Sequence, residues 1–221
     1  AEYMGINSLL SKITKTMGTL SMLKNSIVLL LLTSAAVALE GNVAVRDISG
    51  KKLRVGTRYE ILPLQRGAGG GVTFEHENDN ITCPNAVVQE RLEVLHGTPV
   101  TFLPVNKKRG VVRLSTDMKV KFTATESACG SSYVWKISDF DDITKQYFVS
   151  IGGMEGSTGI GNVGNWFKIV ENKDAYHFLF CPSVCKVCKV MCRDVGVYVD
   201  EAGLRRLVLS DVPFRVIFKK V

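Results

Sequence analysis

The chain has 221 residues, a formal charge of +7, and 46% hydrophobic against 22% charged residues. That length supports one hydrophobic core and is short for two. The basic excess is diffuse apart from Lys107-Lys108-Arg109 and pairs near the C-terminus, and no basic stripe interleaved with aromatics occurs, which argues against a nucleic-acid partner.

From Met22 the sequence reads one lysine, an apolar run and then small residues, the grammar of a secretory signal. The run from Ser26 to Ala38 is short for a bilayer span, and Ala36-Val37-Ala38 offers a small-x-small cleavage pattern, so cleavage is expected after Ala38. Ala1, not Met, opens the chain, and the stretch before Met22 is read as lying upstream of the leader. Loss of Glu2, Lys12, Lys15 and Lys24 with residues 1–38 lowers the formal charge by two, to +5. Residues 39–221 then form the mature domain, extracellular or vacuolar and without a membrane anchor. Asn80-Ile81-Thr82 is the one Asn-x-Ser/Thr tripeptide, and Asn80 is the expected glycan acceptor.

Beyond Val43, helix signals are almost absent. Short runs alternating apolar and polar residues recur at 58–62, 100–103, 118–122, 133–137, 147–151, 166–170 and 214–218, with strand-like composition again at 176–180 and 195–199. Many short strands between glycine-rich turns predict an all-β barrel or β-trefoil. The glycine clusters at 67–71 and 152–164 lack the Lys-Ser/Thr and the following helix of a phosphate loop, and read as turns needing positive φ. Trp135 and Trp166 occupy similar frames and are assigned to the core. His76, His96 and His177 are scattered, with no catalytic set forced by spacing. Asp139, Asp141 and Asp142 read as a solvated turn rather than a metal or acid/base cluster. No enzyme, cofactor or metal site is expected.

Four of the six cysteines crowd into Cys181-Pro-Ser-Val-Cys185-Lys-Val-Cys188-Lys-Val-Met-Cys192. Four thiolates can hold zinc and a Cys-x-x-Cys pair can exchange electrons. In an oxidising compartment an even number should instead pair. Proximity then joins Cys83 to Cys129 and nests Cys185–Cys188 inside Cys181–Cys192, as two strand-like arms closing on a turn would. Zinc competes less well because no histidine or carboxylate completes a familiar finger spacing, and a thioredoxin-like role because Cys185-Lys-Val-Cys188 does not open a helix after a strand.

Val45-Arg-Asp-Ile-Ser-Gly50-Lys-Lys-Leu53 with Tyr59-Glu-Ile61, then Cys83-Pro-Asn-Ala-Val-Val-Gln89, Phe180-Cys-Pro182 and Asp194-Val-Gly-Val-Tyr-Val-Asp200 through Asp211, resemble in order the blocks of the plant Kunitz (soybean trypsin inhibitor) family. Tyr147-Phe-Val-Ser-Ile-Gly-Gly153, Trp166-Phe-Lys-Ile169 and the four-cysteine cluster resemble its miraculin-like branch. The resemblance covers about residues 43 to 221. It implies a β-trefoil, a six-stranded barrel capped by three hairpins, with the three bridges named above. It also implies a secreted inhibitor of trypsin-like serine proteases active in plant defence. In miraculin an extra cysteine before the Phe-Cys-Pro block links two chains; here Glu171-Asn-Lys-Asp174 has no thiol, so a monomer is expected.

In such inhibitors an exposed loop between the fourth and fifth strands docks as a substrate that stays bound. The matching segment is Leu103-Pro-Val-Asn106-Lys107-Lys108-Arg109-Gly-Val111. Anchoring on Pro104 puts Asn106 at the scissile position; counting from Cys83 puts Lys107 there, with Lys108 and Arg109 adjacent. The loop reads about three residues longer than in the seed trypsin inhibitor. Val55, before Gly56, stands where the inhibitors carry a loop-bracing Asn, and an apolar side chain cannot supply those hydrogen bonds. A non-inhibitory binding or stress-associated module is the alternative.

Overall fold

The computed structural model describes residues 43–77, 83–106, 110–124, 132–156 and 159–221. The described residues all belong to one compact unit, Val43–Val221. The expected leader, the Asn80 sequon and Lys107 to Arg109 lie outside the described residues.

Among the described residues twelve strands make the domain all-β: β1 (Tyr59–Pro63), β2 (Val72–Glu75), β3 (Ala86–Gln89), β4 (Val100–Pro104), β5 (Met118–Phe122), β6 (Val134–Asp141), β7 (Gln146–Gly153), β8 (Lys168–Asn172), β9 (Ala175–Phe180), β10 (Arg193–Val199), β11 (Arg205–Ser210) and β12 (Val216–Lys220). Their antiparallel pairings close a ring in the order β10-β11-β3-β7-β6-β5-β4-β1-β12-β9 and back to β10. A shorter circuit runs inside it. β12, β1, β4 and β5 pair in turn, Met118 of β5 bridges Phe167 just before β8, β8 pairs β9, and β9 returns to β12. The hairpins β2/β3, β6/β7 and β10/β11 stand off this circuit and touch one another at Ala86–Ser150, Phe148–Val208 and Arg206–Val88. Closure leaves fewer raw sheet edges, which is how small β domains avoid open-edge pairing.

Alternation sorts the side chains as a strand's period of two requires. In β4, Val100, Phe102 and Pro104 point inward and Thr101 and Leu103 are half-buried; in β1, Tyr59 and Ile61 are buried. The core is aromatic. Phe102 meets Phe218 edge-on at 5.5 Å and Tyr59 at 6.2 Å, and Trp135 sits 5.2 Å from Phe178 and 5.9 Å from Phe167. Such pairs contribute about 0.5–1.5 kcal/mol each beyond burial. Trp166 is buried as well, but its face carries the Lys119 ammonium at 4.5 Å.

Lys119 departs from the alternation of its strand. It is 1% exposed, and its Nζ donates to the Met154 and Gly156 carbonyls at 2.6 and 2.8 Å, tying the segment after β7 to β5. The glycine run also differs in part from expectation. Gly67 and Gly69 do adopt positive φ, but at Gly71 the reason is space: a Cβ there would lie 1.9 Å from the His96 carbonyl oxygen. The run is a packing seat for the 90–97 loop.

Cys181 is bonded to Cys192 and Cys185 to Cys188. The outer bridge closes where β9 and β10 begin to pair, at Phe180–Arg193. Cys83 is disulfide-bonded too, and its expected partner Cys129 lies outside the described residues.

Replacing Phe102 by Ala removes a ring with no solvent exposure and three aromatic neighbours. The expected cost is about 3–5 kcal/mol, read as a lowered urea midpoint at unchanged m-value.

Candidate functional site

The β4–β5 hairpin carries the candidate loop. Pro104 pairs with Met118, the last rung of the ladder, and the next amide, Val105 N–H, donates to the Asp117 carbonyl at 2.9 Å. Val105 and Asn106 are exposed. The chain is described again from Gly110, whose φ of +63° suits a residue without Cβ. Asn106 is thus placed at the exposed rim of the loop. Lys107, Lys108 and Arg109, the other candidates for the scissile position, fall in the undescribed gap.

The returning arm is laced to the N-terminal segment. Val55 N–H donates to the Gly110 carbonyl at 3.2 Å, Arg54 bridges Val111, Val112 N–H donates to Leu53 O at 3.0 Å, and Val45 N–H donates to Val112 O at 3.1 Å. Leu114 N–H adds a bond to Val43 O at 3.0 Å. Below this ladder Val45, Leu53 and Val112 are fully buried, so the lacing rests on the core. The N-terminal segment is itself folded back at 47–51, where the Asp47 carboxylate accepts the Ser49 and Lys51 N–H groups, and its second arm is fixed when Arg54 N–H donates to the Tyr59 hydroxyl at 2.9 Å. Val55 therefore does stand beside the loop and supports it through its backbone. Its side chain has no polar group to add.

The outgoing arm has a different support, one the sequence reading did not find. Asp117, whose carbonyl holds Val105, is 7% exposed. Its carboxylate accepts the Ser183 hydroxyl at 2.6 Å and the Ser183 N–H at 3.2 Å, with the Lys168 ammonium 3.8 Å away. A buried carboxylate with charge-assisted bonds is a rigid fixture. Ser183 lies inside the Cys181–Cys192 bridge, so the stapled segment and the loop's outgoing arm meet at one side chain. Sixty-six residues separate Asp117 from Ser183, and no local signal joins them. A cleft of about 190 Å³ lined by Pro104, Asn106, Val111, Arg113 and Thr116 opens between the two arms.

Among the described residues, the remaining titratable groups do not converge on a reacting centre. His177 Nε2 faces Asp194 at 3.1 Å, and His96 Nδ1 faces Glu60 at 3.1 Å on the opposite side of the sequence. Asp141 closes the β6–β7 turn: the Thr144 N–H, with that of Ile143, holds its carboxyl below the ordinary value. Among the described residues no group of three His, Cys, Asp or Glu is arranged to hold a metal ion, and no helix is long and apolar enough to cross a membrane.

The architecture has counterparts among known proteins. The legume Kunitz family model, described as trypsin and protease inhibitor, matches residues 45–220. Kunitz trypsin inhibitor 5 of Arabidopsis thaliana is 47% identical over 176 residues, 80% of this chain and 85% of that one. Miraculin of Synsepalum dulcificum is 48% identical over 181 residues, 80% of this chain and 82% of that one. Among solved structures, the Kunitz-type cysteine protease inhibitor PCPI-3 from potato superposes with a TM-score of 0.70 at 33% identity, over 80% of this chain and 97% of that one. A Kunitz type trypsin inhibitor from Cicer arietinum does so at 0.68 and 32%, over 81% and 99%. A family match spanning nearly every described residue, and relatives close to half identical over most of both chains, make this chain a member of the Kunitz family of trypsin and protease inhibitors.

Proposed function

We propose that residues 39–221 form a secreted β-trefoil inhibitor of trypsin-like serine endopeptidases, freed from a leader at residues 1–38 and presenting the β4–β5 loop as a substrate that stays bound. The observation that carries the reading is the double support of the loop: backbone lacing to 43–55 on the returning arm, and Asp117 on the outgoing arm. Fixing the backbone of one residue costs about 1–2 kcal/mol, so an arm already held in place loses little on docking. The inner circuit of β1, β4, β5, β8, β9 and β12 with three mutually touching hairpins supports the trefoil description. The relatives' names supply the protease class: trypsin inhibitors in Arabidopsis and chickpea, and a latex serine proteinase inhibitor in papaya.

Lys107 or Lys108 fills the acidic specificity pocket, with Asn106 and Arg109 flanking. The protein acts as a monomer, and a glycan occupies Asn80. A second reading, a non-inhibitory binding module, is favoured by one observation: Val55 offers the loop a backbone N–H and nothing more.

Titration of trypsin with stoichiometric protein separates the two readings; full enzyme activity at excess would leave the binding module. Given inhibition, Ala at both Lys107 and Lys108 should weaken it by at least about thirtyfold, the effect of losing an interface hot spot of about 2 kcal/mol, with thermal stability nearly unchanged. Retained inhibition would move the primary contact elsewhere. Val55→Asn should slow trypsin cleavage of the loop in the complex, followed by mass spectrometry. Ser183→Ala should do the reverse, because it removes a charge-assisted bond to Asp117 of about 1.5–3 kcal/mol, and Ser183→Thr should restore the parent rate. Cleavage equally fast in parent, Ala and Thr forms would show that Asp117 does not hold the loop.

A further inference from the structure

A cleft of about 380 Å³ lies away from the loop, between the end of β1, the glycine run and the turn from β11 to β12. β1 and β4 run antiparallel with Tyr59 opposite Val100, so Pro63 on the cleft and Pro104 at the loop lie towards opposite ends of the ring. The cleft is not used by the inhibitory reading.

Its chemistry is lopsided. Two arginines, Arg205 and Arg215, line it, and no lining residue is acidic. Arg205 is held by neutral acceptors only: its Nε donates to Gln89 Oε1 at 3.0 Å and its Nη2 to the Ala68 carbonyl at 2.9 Å. Gln89, 1% exposed, is fixed in turn because its Nε2 donates to the carbonyls of Ala68 and Gly70. Among the described residues no carboxylate pairs with Arg205, so a half-buried guanidinium is locked in place with its charge uncompensated. Arg215 pairs at its outer end with the exposed Asp174, while its buried Nε has no hydrogen-bond partner among the described residues. Val197, Val212, Pro213 and Phe214 supply apolar lining to the same cleft.

A rigid, uncompensated guanidinium offers paired N–H donors in the spacing of a carboxylate, and partial burial strengthens the attraction relative to open water. The volume falls in the range of small-molecule sites. We propose that this cleft binds a small amphipathic carboxylate, its charged end on Arg205 and Arg215 and its hydrocarbon against Phe214 and Val197. The apolar lining selects against a bare anion, and the arginines select against a neutral amphiphile.

Isothermal titration of the intact protein with phenylpropionate, phenylpropionamide and acetate tests this. Phenylpropionate should bind saturably and at least about tenfold tighter than either control, the amide lacking the charge and acetate the hydrocarbon. Arg205→Gln should weaken phenylpropionate at least about tenfold, in keeping with the loss of a charge-assisted pair. Arg205 also supports Gln89, so Val212→Glu gives an independent variant: Val212 is 75% exposed at the rim, and a carboxylate there neutralises the site without touching the core. It too should cost at least about tenfold. Absence of saturable binding, equal binding of either control, or undiminished binding by Val212→Glu would overturn the proposal.

Discussion

Tyr59 packs its ring against Phe102 inside the closed circuit of strands, and its hydroxyl accepts the Arg54 N–H. That one side chain joins the aromatic core to the N-terminal brace. Phe102 in turn fixes β4, whose last rung at Pro104 sets where the exposed loop departs. Arg54 continues into Val55, and both meet the loop's returning arm at Val111 and Gly110. The loop's two ends are therefore positioned by the same core contact. The placement of those ends is inherited from packing, which is stiff because interiors are close-packed and side chains there have little room to shift.

The two arms are held by different physics. The returning arm depends on neutral backbone bonds backed by buried Val45, Leu53 and Val112, and each such bond is worth only about 0.5–1.5 kcal/mol net, so its strength is collective. The outgoing arm depends on one buried carboxylate whose partners are strong and few: Ser183 and Lys168. Here the cysteine cluster acquires a role beyond stapling. The Cys181–Cys192 bridge limits the freedom of the segment that carries Ser183, and through Asp117 that restriction reaches Val105.

Most of the strands were legible because one face of each is buried, and a half-buried strand writes its period of two into the sequence: β4, β5 and β1 appear within a residue or two of their observed limits. β2, β3 and β11 escaped for a physical reason. β2 and β3 are short, and β3 and residues 206–209 of β11 are buried on both faces, so neither of these two has an alternation to read. Lys119 misleads in the opposite way, since its strand alternates perfectly while the lysine is buried against carbonyls 35 and 37 residues away. The same limit governs the site. Lys107 to Arg109 stand out as a charged run between strands, whereas Asp117 and Ser183 are ordinary residues until the topology brings them together. Buried Gln89 and half-buried Arg205, 116 residues apart, are equally silent in sequence.

Preorganisation of the loop is the claim on which the account turns, and amide hydrogen exchange of the uncomplexed protein measures it directly. The Val55, Val105 and Val112 amides should exchange within about tenfold of the β4 and β5 ladder amides, since all three donate to backbone carbonyls in structure continuous with the core. Exchange of Val55 and Val105 at the rate of an unprotected amide, while the ladder remains protected, would contradict it.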